Sequence, residues 1–278
     1  MADTIDTGTD DLLARIEGNV AIVTFNRPER RNALTEGVYR GFESVLPELA
    51  ADTDVRVLMV TGAGGAFCAG GDVKEMNESH RPGADTGSVP GVFEDRVVHI
   101  RQRQRWVSLA LHEFPKPVVA ALPGPAAGAG LSIALAADIR LAAERAILLT
   151  AFANVGASGD FGGSWFLTHL VGPAKAKELY FTSPRLSAHQ AADLGIVNQV
   201  LPDEGFDDAA LAWCASLAEQ APIAMRLMKE NFNRAQQLDL ATALDAEGAN
   251  MVRAMSTADH REAAAAFVEK RAPKFTGR

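Results

Sequence analysis

The sequence predicts an α/β fold with a helical C-terminal part, and three observations lead to this prediction. Candidate strands alternate with helices in the first half of the chain. Two glycine-rich segments each follow a strand and open a helix, and nearly every pattern after Gly156 is helical. Alternating strands and helices are typical of a sheet covered by helices. We therefore predict an α/β core over residues 1–200 and a helical region over residues 201–278.

Hydrophobic periodicity assigns the individual elements. Residues 19–26 are rich in β-branched side chains, which favours a strand. Thr35 is a suitable N-cap for the helix that follows it. Asp72 and Glu75 have the spacing of a capping box, and residues 77–91 lack periodicity and are expected to form a mobile loop. The remaining predicted elements are a strand at 55–61, a helix at 93–113, a strand at 117–122, a helix ending near Asp138, and strands at 139–142, 147–150 and 197–201.

Composition and charge exclude several classes of function. The net charge of -8 disfavours nucleic-acid binding. No run of about 18 apolar residues suggests a membrane span, and the first residues do not have the pattern of a secretory signal. Cys68 and Cys214 are far apart and outside any CxxC pair, which favours reduced thiols in a cytoplasmic protein. No metal-ligand spacing is present.

Two glycine-rich segments, residues 64–72 and 124–130, are the main functional candidates. A turn that opens a helix directs free N–H groups at one point, and the helix dipole adds positive potential there. Two such N–H groups that converge form an oxyanion hole. The alternative is that these glycines only allow tight turns and close packing. Neither segment is a P-loop or a dinucleotide-binding fingerprint.

Four segments in order resemble motifs of the crotonase superfamily, also called the enoyl-CoA hydratase/isomerase family. Residues 66–76 (AFCAGGDVKEM) are similar to its first signature, and residues 118–139 (VVAALPGPAAGAGLSIALAADI) to its second. Residues 26–34 (NRPERRNAL) resemble its N-terminal motif, and residues 267–275 (FVEKRAPKF) its C-terminal tail. The resemblance covers nearly the whole chain.

The resemblance implies a spiral core of ββα units and a C-terminal helical region that forms trimers, which often pair into hexamers. The late apolar stripes, such as Leu211, Cys214 and Leu217, are open to packing on the core or on another subunit. The implied ligand is an acyl-CoA thioester, which is the substrate and not a permanently bound cofactor. By position, the oxyanion donors are the N–H groups of Gly71 and Ala129.

The resemblance also points to the proton-transfer group. Hydratases of this family place two glutamates across the substrate, and those positions are Ser132 and Phe152 here. Asp160 lies where dienoyl-CoA isomerases, an epoxyacyl-CoA isomerase and some dehalogenases place an aspartate. We therefore expect enoyl-CoA isomerase-type proton transfer by Asp160. The alternatives are a hydratase, a hydrolase or dehalogenase with Asp160 as nucleophile, and a CoA-binding scaffold without activity. Asp160 is also a candidate helix N-cap.

Basic residues near the motifs are candidates for binding the CoA phosphates. Arg30, Arg31 and Lys74 flank the first two motifs, and Lys270 matches a lysine in the family's tail. The alternative for each is exposed, solubilising charge.

The remaining assignments follow the same resemblance. Ala69 and Asp72 of the first signature are assigned to the CoA site. The segment 77–106 is expected to cover the acyl end of the pocket as a lid. The predicted substrate-pocket residues are Ser132, Phe152 and Trp106.

Overall fold

The computed structural model describes residues 3–72 and 93–278. The predicted CoA contact Lys74, the capping-box partner Glu75 and the predicted loop at 77–91 lie outside the described residues. The predictions for these positions are therefore not tested.

A seven-stranded sheet forms the centre of the fold, in the order β1-β2-β3-β4-β5-β7-β10. The first three strands are antiparallel. From β3 onward the pairing is parallel, with Val23 opposite Val60 and Met59 opposite Val119. A small sheet has the order β6-β8-β9. The strands are β1 (Asp3–Ile5), β2 (Leu12–Glu17), β3 (Val20–Phe25), β4 (Val57–Gly62), β5 (Val118–Leu122), β6 (Ala126–Ala127), β7 (Ile139–Ala143), β8 (Ile147–Leu149), β9 (Leu186–Ser187) and β10 (Gln199–Leu201).

Helices cover both faces of the main sheet and make up the C-terminal part. The second helix continues through a π-helical turn, Arg105–Leu109, into Ala110–His112. The helices are α1 (Glu36–Ala51), α2 (Phe93–Gln104), α3 (Ala129–Leu135), α4 (Gly163–Thr182), α5 (Ala188–Asp193), α6 (Phe206–Ala218), α7 (Pro222–Ala235), α8 (Leu240–Met255) and α9 (Ala258–Glu269).

Helix α1 shows how local sequence and packing agree. The Thr35 side chain accepts a hydrogen bond from Val38 N at 3.2 Å, as expected for an N-cap. Val38, Phe42 and Val45 recur at helical spacing, and all three are buried in the core. Each such side chain contributes about 1.5–3 kcal/mol when fully buried. The predicted cap and apolar face are therefore confirmed.

The N-terminal hairpin of β1 and β2 was not predicted. Of these two strands only Leu12 and Ala14 are fully buried, whereas Asp3, Thr4 and Leu13 are exposed. Strand β1 is the edge strand and β2 pairs between β1 and β3, and neither forms the continuous apolar run that identifies buried strands.

The C-terminal helices differ in how they pack. Helix α6 packs on the main sheet through Phe206, Ala210 and Cys214. Helices α7, α8 and α9 carry large exposed apolar side chains, namely Met228, Phe232, Leu240, Leu244, Met251, Val252, Phe267 and Val268. The predicted division at residue 200 remains a prediction. Within the described part of the chain, no helix has both the length and the apolar character that crossing a membrane requires.

Candidate active site

Backbone hydrogen bonds join the two predicted glycine-rich segments side by side. Pro125 O accepts from Phe67 N at 3.0 Å, and Ala127 N donates to Cys68 O at 3.0 Å. These bonds form a parallel bridge between Cys68 and Ala126. The turns that follow β4 and β5 therefore end next to each other, and the first turn of α3 begins at this point.

Gly70 lies directly against the start of α3. It has a φ of +82°, and a Cβ added to it would lie 2.7 Å from Ala127 O and 3.1 Å from Ala129 N. Ala129 itself is helical, since Gly128 before it takes the unusual backbone angles, with φ of 53° and ψ of -126°. The first bond within α3 runs from Ser132 N to Gly128 O. The Ala129 N–H therefore precedes the donors that the helix uses internally.

A third segment fixes the Gly70–Gly71 turn from the other side. Leu34 N donates to Gly70 O at 2.9 Å, and Ala69 N donates to Arg31 O at 3.0 Å. The buried Asn32 holds this segment in place, because its Nδ2 donates to Ala63 O and Ala66 O at 2.9 and 2.8 Å. The N-terminal motif and the first signature are thus brought together at Gly71.

Asp160 lies in an irregular loop before α4, and it does not cap that helix. The N-cap is Gly162, and no side chain caps the helix start. The alternative interpretation of Asp160 as an N-cap is therefore wrong. Phe161 has a φ of +50°, which is unusual for an aromatic residue. Its amide donates to Gln104 Oε1 at 2.9 Å, which ties the loop to α2.

The Asp160 carboxyl is desolvated. Its Oδ1 is buried and has no hydrogen-bond partner among the described residues. Burial raises the pKa of Asp160 from 3.8 to about 6, because a carboxylate loses hydration there without gaining donors. A carboxyl group with such a pKa is able both to accept and to return a proton near neutral pH.

Three side chains are electrostatically coupled to Asp160. They are Tyr39, Cys68 and Tyr180, and in each the pKa is raised first by burial and further by the Asp160 charge. The Tyr39 ring stacks on Phe161 with 5.8 Å between centroids. Cys68 belongs to the first glycine-rich segment, and Gly163, three residues after Asp160, packs against Ser132 in α3. The loop that carries the carboxyl therefore adjoins the helix that opens at the second segment.

Ser132 and Phe152 meet at Tyr180. The Tyr180 hydroxyl lies beside that of Ser132, since a Cβ added at Gly163 would lie 2.4 Å from Tyr180 Oη and 2.2 Å from Ser132 Oγ. Its ring stacks on Phe152 with 5.7 Å between centroids. Both predicted pocket positions therefore adjoin the site, and neither carries a carboxylate.

A cavity of about 700 Å³ adjoins Phe161. Phe114, Trp165 and Phe166 give it an aromatic lining, and α7 borders it with charged and amide side chains. Its volume lies within the range of ~300–1,000 Å³ for small-molecule sites. The cavity therefore provides space beside the Asp160 loop for a bulky group.

Comparison with known proteins identifies the family. Residues 15–278 match the profile of the family described as enoyl-CoA hydratase/isomerase. The chain belongs to this family. The spiral crotonase fold is confirmed by solved relatives such as an enoyl-CoA hydratase from Polaromonas sp. JS666, which has a TM-score of 0.86 and 34% identity and covers 95% of this chain and 99% of the other.

Relatives within the enoyl-CoA hydratase/isomerase family carry different activities. The chain is 36% identical to 1,2-epoxyphenylacetyl-CoA isomerase of Escherichia coli K12, over 96% of this chain and 98% of the relative. It is 35% identical to a short-chain-enoyl-CoA hydratase of Clostridium acetobutylicum, over 94% and 96%. It is 37% identical to the human mitochondrial enoyl-CoA hydratase domain-containing protein 2, over 96% and 88%.

The structure places the other predicted residues as follows. Arg30 and Arg31 are exposed next to the first signature, and Ala69 and Asp72 are half-buried within it. Lys270 is exposed at the end of α9, where it is the C-cap residue. Their roles in binding CoA remain predictions.

Trp106 borders a different cavity from the one beside Phe161. It is half-buried and lines a cavity of about 230 Å³ between α1 and the end of α2, together with Phe42, Leu46 and Phe114. None of the three groups coupled to Asp160 lines this cavity. The assignment of Trp106 to the substrate pocket remains a prediction. Among the described residues, no group of three potential metal ligands is present.

Three residues of the site, Asn32, Tyr39 and Tyr180, carry no local sequence signal of their position. Asn32 was part of a quoted motif, but its role as a link between two loops depends on long-range contacts. Tyr39 and Tyr180 are the two tyrosines in the chain. Tyr39 lies in α1, far from Asp160 in sequence, and Tyr180 lies near the end of α4, the helix that begins three residues after Asp160. Their rarity is the one signal that sequence analysis had available.

The raised pKa of Asp160 predicts a pH-dependent stability. Between pH 3.8 and about 6 the folded state binds more protons at this carboxyl than the unfolded state does, so the free energy of unfolding falls as pH rises through this window. The Asp160→Asn variant has no titrating carboxyl at this position and therefore lacks this pH dependence. We expect the variant to be as stable as the wild type near pH 4 and more stable above pH 6, as measured by urea unfolding. If the free energies of unfolding of the variant and the wild type differed by the same amount at every pH, the raised pKa of a desolvated Asp160 would be contradicted.

Proposed function

We propose that this protein is an acyl-CoA isomerase in which Asp160 moves a proton on an enolate held by the Gly71 and Ala129 N–H groups. One observation carries the proposal. A desolvated carboxyl, Asp160, lies three residues before Gly163, which packs against Ser132 in the helix that opens at the second glycine-rich turn, and the two positions that hold glutamates in hydratases contain Ser132 and Phe152. A single carboxyl suits a reaction in which a proton leaves one carbon and returns to another.

The proposed reaction proceeds in two proton transfers. The Asp160 carboxylate removes a proton from C2 of a 3-enoyl-CoA, and the electron pair passes into the thioester as a dienolate. The two N–H groups stabilise the oxygen that becomes negative, and each is worth about 3–4 kcal/mol in comparable sites. The protonated Asp160 then returns the proton to C4, which gives the 2-enoyl-CoA and restores the carboxylate.

The comparisons support two candidate reactions. A relative named 1,2-epoxyphenylacetyl-CoA isomerase agrees with proton transfer by a single acid. A relative named short-chain-enoyl-CoA hydratase favours a second candidate, in which Asp160 activates a water that adds to a 2-enoyl-CoA. We favour isomerisation because neither Ser132 nor Phe152 supplies the second carboxylate that would hold this water.

The proposal includes binding of CoA and assembly. We assign the CoA phosphates to the exposed cations Arg30, Arg31 and Lys270, and its remaining contacts to Ala69 and Asp72. The exposed apolar faces of α7, α8 and α9 support a homotrimer or a dimer of trimers, because single soluble chains seldom expose such area. Two free, buried cysteines support a reducing compartment such as the cytoplasm.

One assay tests the proposed reaction. The protein is incubated with 3-enoyl-CoA or 2-enoyl-CoA in deuterated water, and the products are followed by mass spectrometry. We expect double-bond migration with deuterium at the carbons that exchange. Addition of water as the main product would favour the hydratase, and loss of CoA the hydrolase. Binding of each thioester without turnover would reduce the protein to a CoA-binding scaffold.

A further inference from the structure

The loop that carries Asp160 contains a turn with unusual backbone angles. Gly163 N donates to Asp160 O at 3.1 Å, and the two residues between them both have a positive φ, +50° at Phe161 and +75° at Gly162. Two successive positive φ values are typical of a type I′ turn, in which glycine, asparagine and aspartate predominate. A phenylalanine at the first of these positions costs about 1–2 kcal/mol. Contacts from outside the turn must therefore hold Phe161 in this conformation.

Gln104 at the end of α2 supplies the backbone contact. Its Oε1 accepts a hydrogen bond from Phe161 N at 2.9 Å, across 57 residues of sequence. Phe161 N belongs to the peptide group that follows Asp160, so Gln104 acts directly on the chain that carries the carboxyl. A neutral hydrogen bond contributes about 0.5–1.5 kcal/mol. This bond therefore offsets part of the cost of the positive φ.

The neighbouring residue of α2 helps to hold the Phe161 ring. The Tyr39 ring stacks on Phe161, with 5.8 Å between centroids. Arg103 lies 4.9 Å from the centre of the Tyr39 ring. The Arg103 guanidinium also donates to Glu36 Oε2 at 2.6 Å, which fixes it over the ring. Adjacent residues of α2 thus act on the backbone of Phe161 directly and on its ring through Tyr39.

The chain after Gln104 anchors this end of α2 in the core. Val107 lies within the π-helical turn Arg105–Leu109 and Leu111 follows it, and both are fully buried. Single π-helical turns are often found at functional sites. Gln104 therefore presents its amide oxygen to the loop from an anchored position.

The neutral charge of Gln104 suits this position. A carboxylate there would also accept the Phe161 N–H, but a like charge would raise the pKa of Asp160 further. Burial already raises that pKa to about 6. A further rise would leave less of the carboxylate at neutral pH, and the carboxylate is the form that removes a proton. The amide holds the loop without this loss.

We propose that Gln104 is a positioning residue for Asp160, because its side chain holds the Phe161 N–H and with it the turn that orients the carboxyl. This inference rests on the proposed function, in which Asp160 moves the proton. Without the acceptor, Phe161 is able to leave its positive φ, and the carboxyl moves with the chain. Misplacement by about 1 Å is enough to slow a reaction about 10²-fold.

Two substitutions at Gln104, and the same two at Gln102, test this role. Gln102 is exposed in the same helix and is the matched control. Gln104→Met removes the acceptor at similar size, and it should lower kcat for double-bond migration in 3-enoyl-CoA about 10- to 100-fold with little change in KM. Gln104→Glu keeps an acceptor and should retain most of the kcat at about pH 8. Gln102→Met and Gln102→Glu should both match the wild type.

The pH profile separates positioning from a general loss of stability. In Gln104→Glu the acidic limb of kcat should move to higher pH, because the added negative charge raises the pKa of Asp160. Gln102→Glu should leave the limb in place, since an exposed charge is screened by solvent and salt. The titratable or charged groups that act on Asp160 or on the ring beside its loop are Tyr39, Cys68, Tyr180, Glu36 and Arg103. Burial raises the pKa of both tyrosines and of the thiol, so these three groups stay neutral near pH 6.

Hydrogen exchange of the Phe161 amide, followed by NMR, detects the hydrogen bond without an activity assay. Exchange should become faster in Gln104→Met and stay slow in Gln104→Glu. Unchanged exchange or unchanged kcat in Gln104→Met would overturn the positioning role. The same conclusion would follow if Gln104→Glu lost as much kcat as Gln104→Met, or if its acidic limb did not move.

Failure of the proposed function would give a different result. A wild type that catalyses no double-bond migration would contradict the proposed function itself. The exchange rates of the Phe161 amide would then decide alone whether Gln104 holds the Asp160 loop.

Discussion

Replacement of Asp160 by asparagine should lower kcat/KM for double-bond migration by about 10²- to 10⁴-fold, the usual contribution of general acid–base catalysis. The amide has nearly the same shape as the carboxyl, so the loop and its bond from Phe161 N to Gln104 should survive. The affinity for the acyl-CoA should change little, because the proposed contacts to CoA lie on other segments. Stopped assays with 3-enoyl-CoA and calorimetry with butanoyl-CoA measure the two effects.

Asp193→Asn is a matched control for this substitution. Asp193 is the last residue of α5 and is exposed. The Asp193→Asn variant should retain wild-type activity. The wild type should also lose activity below pH 6, as the Asp160 carboxyl, with its pKa of about 6, becomes protonated. Full activity in Asp160→Asn would show that the acid/base lies elsewhere, whatever its stability.

The parts of the site predicted from sequence are those in which function depends on local sequence. The turns at residues 64–72 and 124–130 each follow a strand and open with glycine, so their N–H groups are free for reasons visible in a short window. Their pairing was implied by the resemblance. The structure adds the physical link, a parallel bridge from Cys68 to Ala126.

The parts that were not predicted depend on distant packing. Whether Asp160 caps α4 or faces the site was open, since an aspartate before an apolar helix fits both roles. The positive φ of Phe161 and Gly162 decides the question, because it turns the chain before the helix begins. Tyr39 in α1 stacks on Phe161 and Tyr180 in α4 packs against Gly159, and no local pattern reports such convergence on the Asp160 loop. Strands β1 and β2 were not predicted for the same reason, since their identity comes from pairing.

Substitution of Gly70 by alanine should lower kcat by about 10²-fold, because misplacement by about 1 Å is enough for such a loss. The added Cβ would meet Ala127 O at 2.7 Å and Ala129 N at 3.1 Å, and both are backbone atoms. The two turns must therefore separate, which displaces the N–H groups that we assign to the oxyanion hole. The positive φ adds about 1–2 kcal/mol of strain. Single-turnover assays and urea unfolding measure the two effects.

Gly195→Ala separates the contact from the strain. Gly195 has a φ of +76°, close to the +82° of Gly70, but a Cβ there would meet nothing within 4 Å. Gly195→Ala should therefore lose similar stability and keep its kcat. If both variants lost activity in proportion to stability, the effect would arise from strain alone. If Gly70→Ala kept full kcat, the approach of Gly70 to Ala129 would have no part in positioning the donors. Only a selective loss of kcat in Gly70→Ala ties the chemistry to the contact between the two turns.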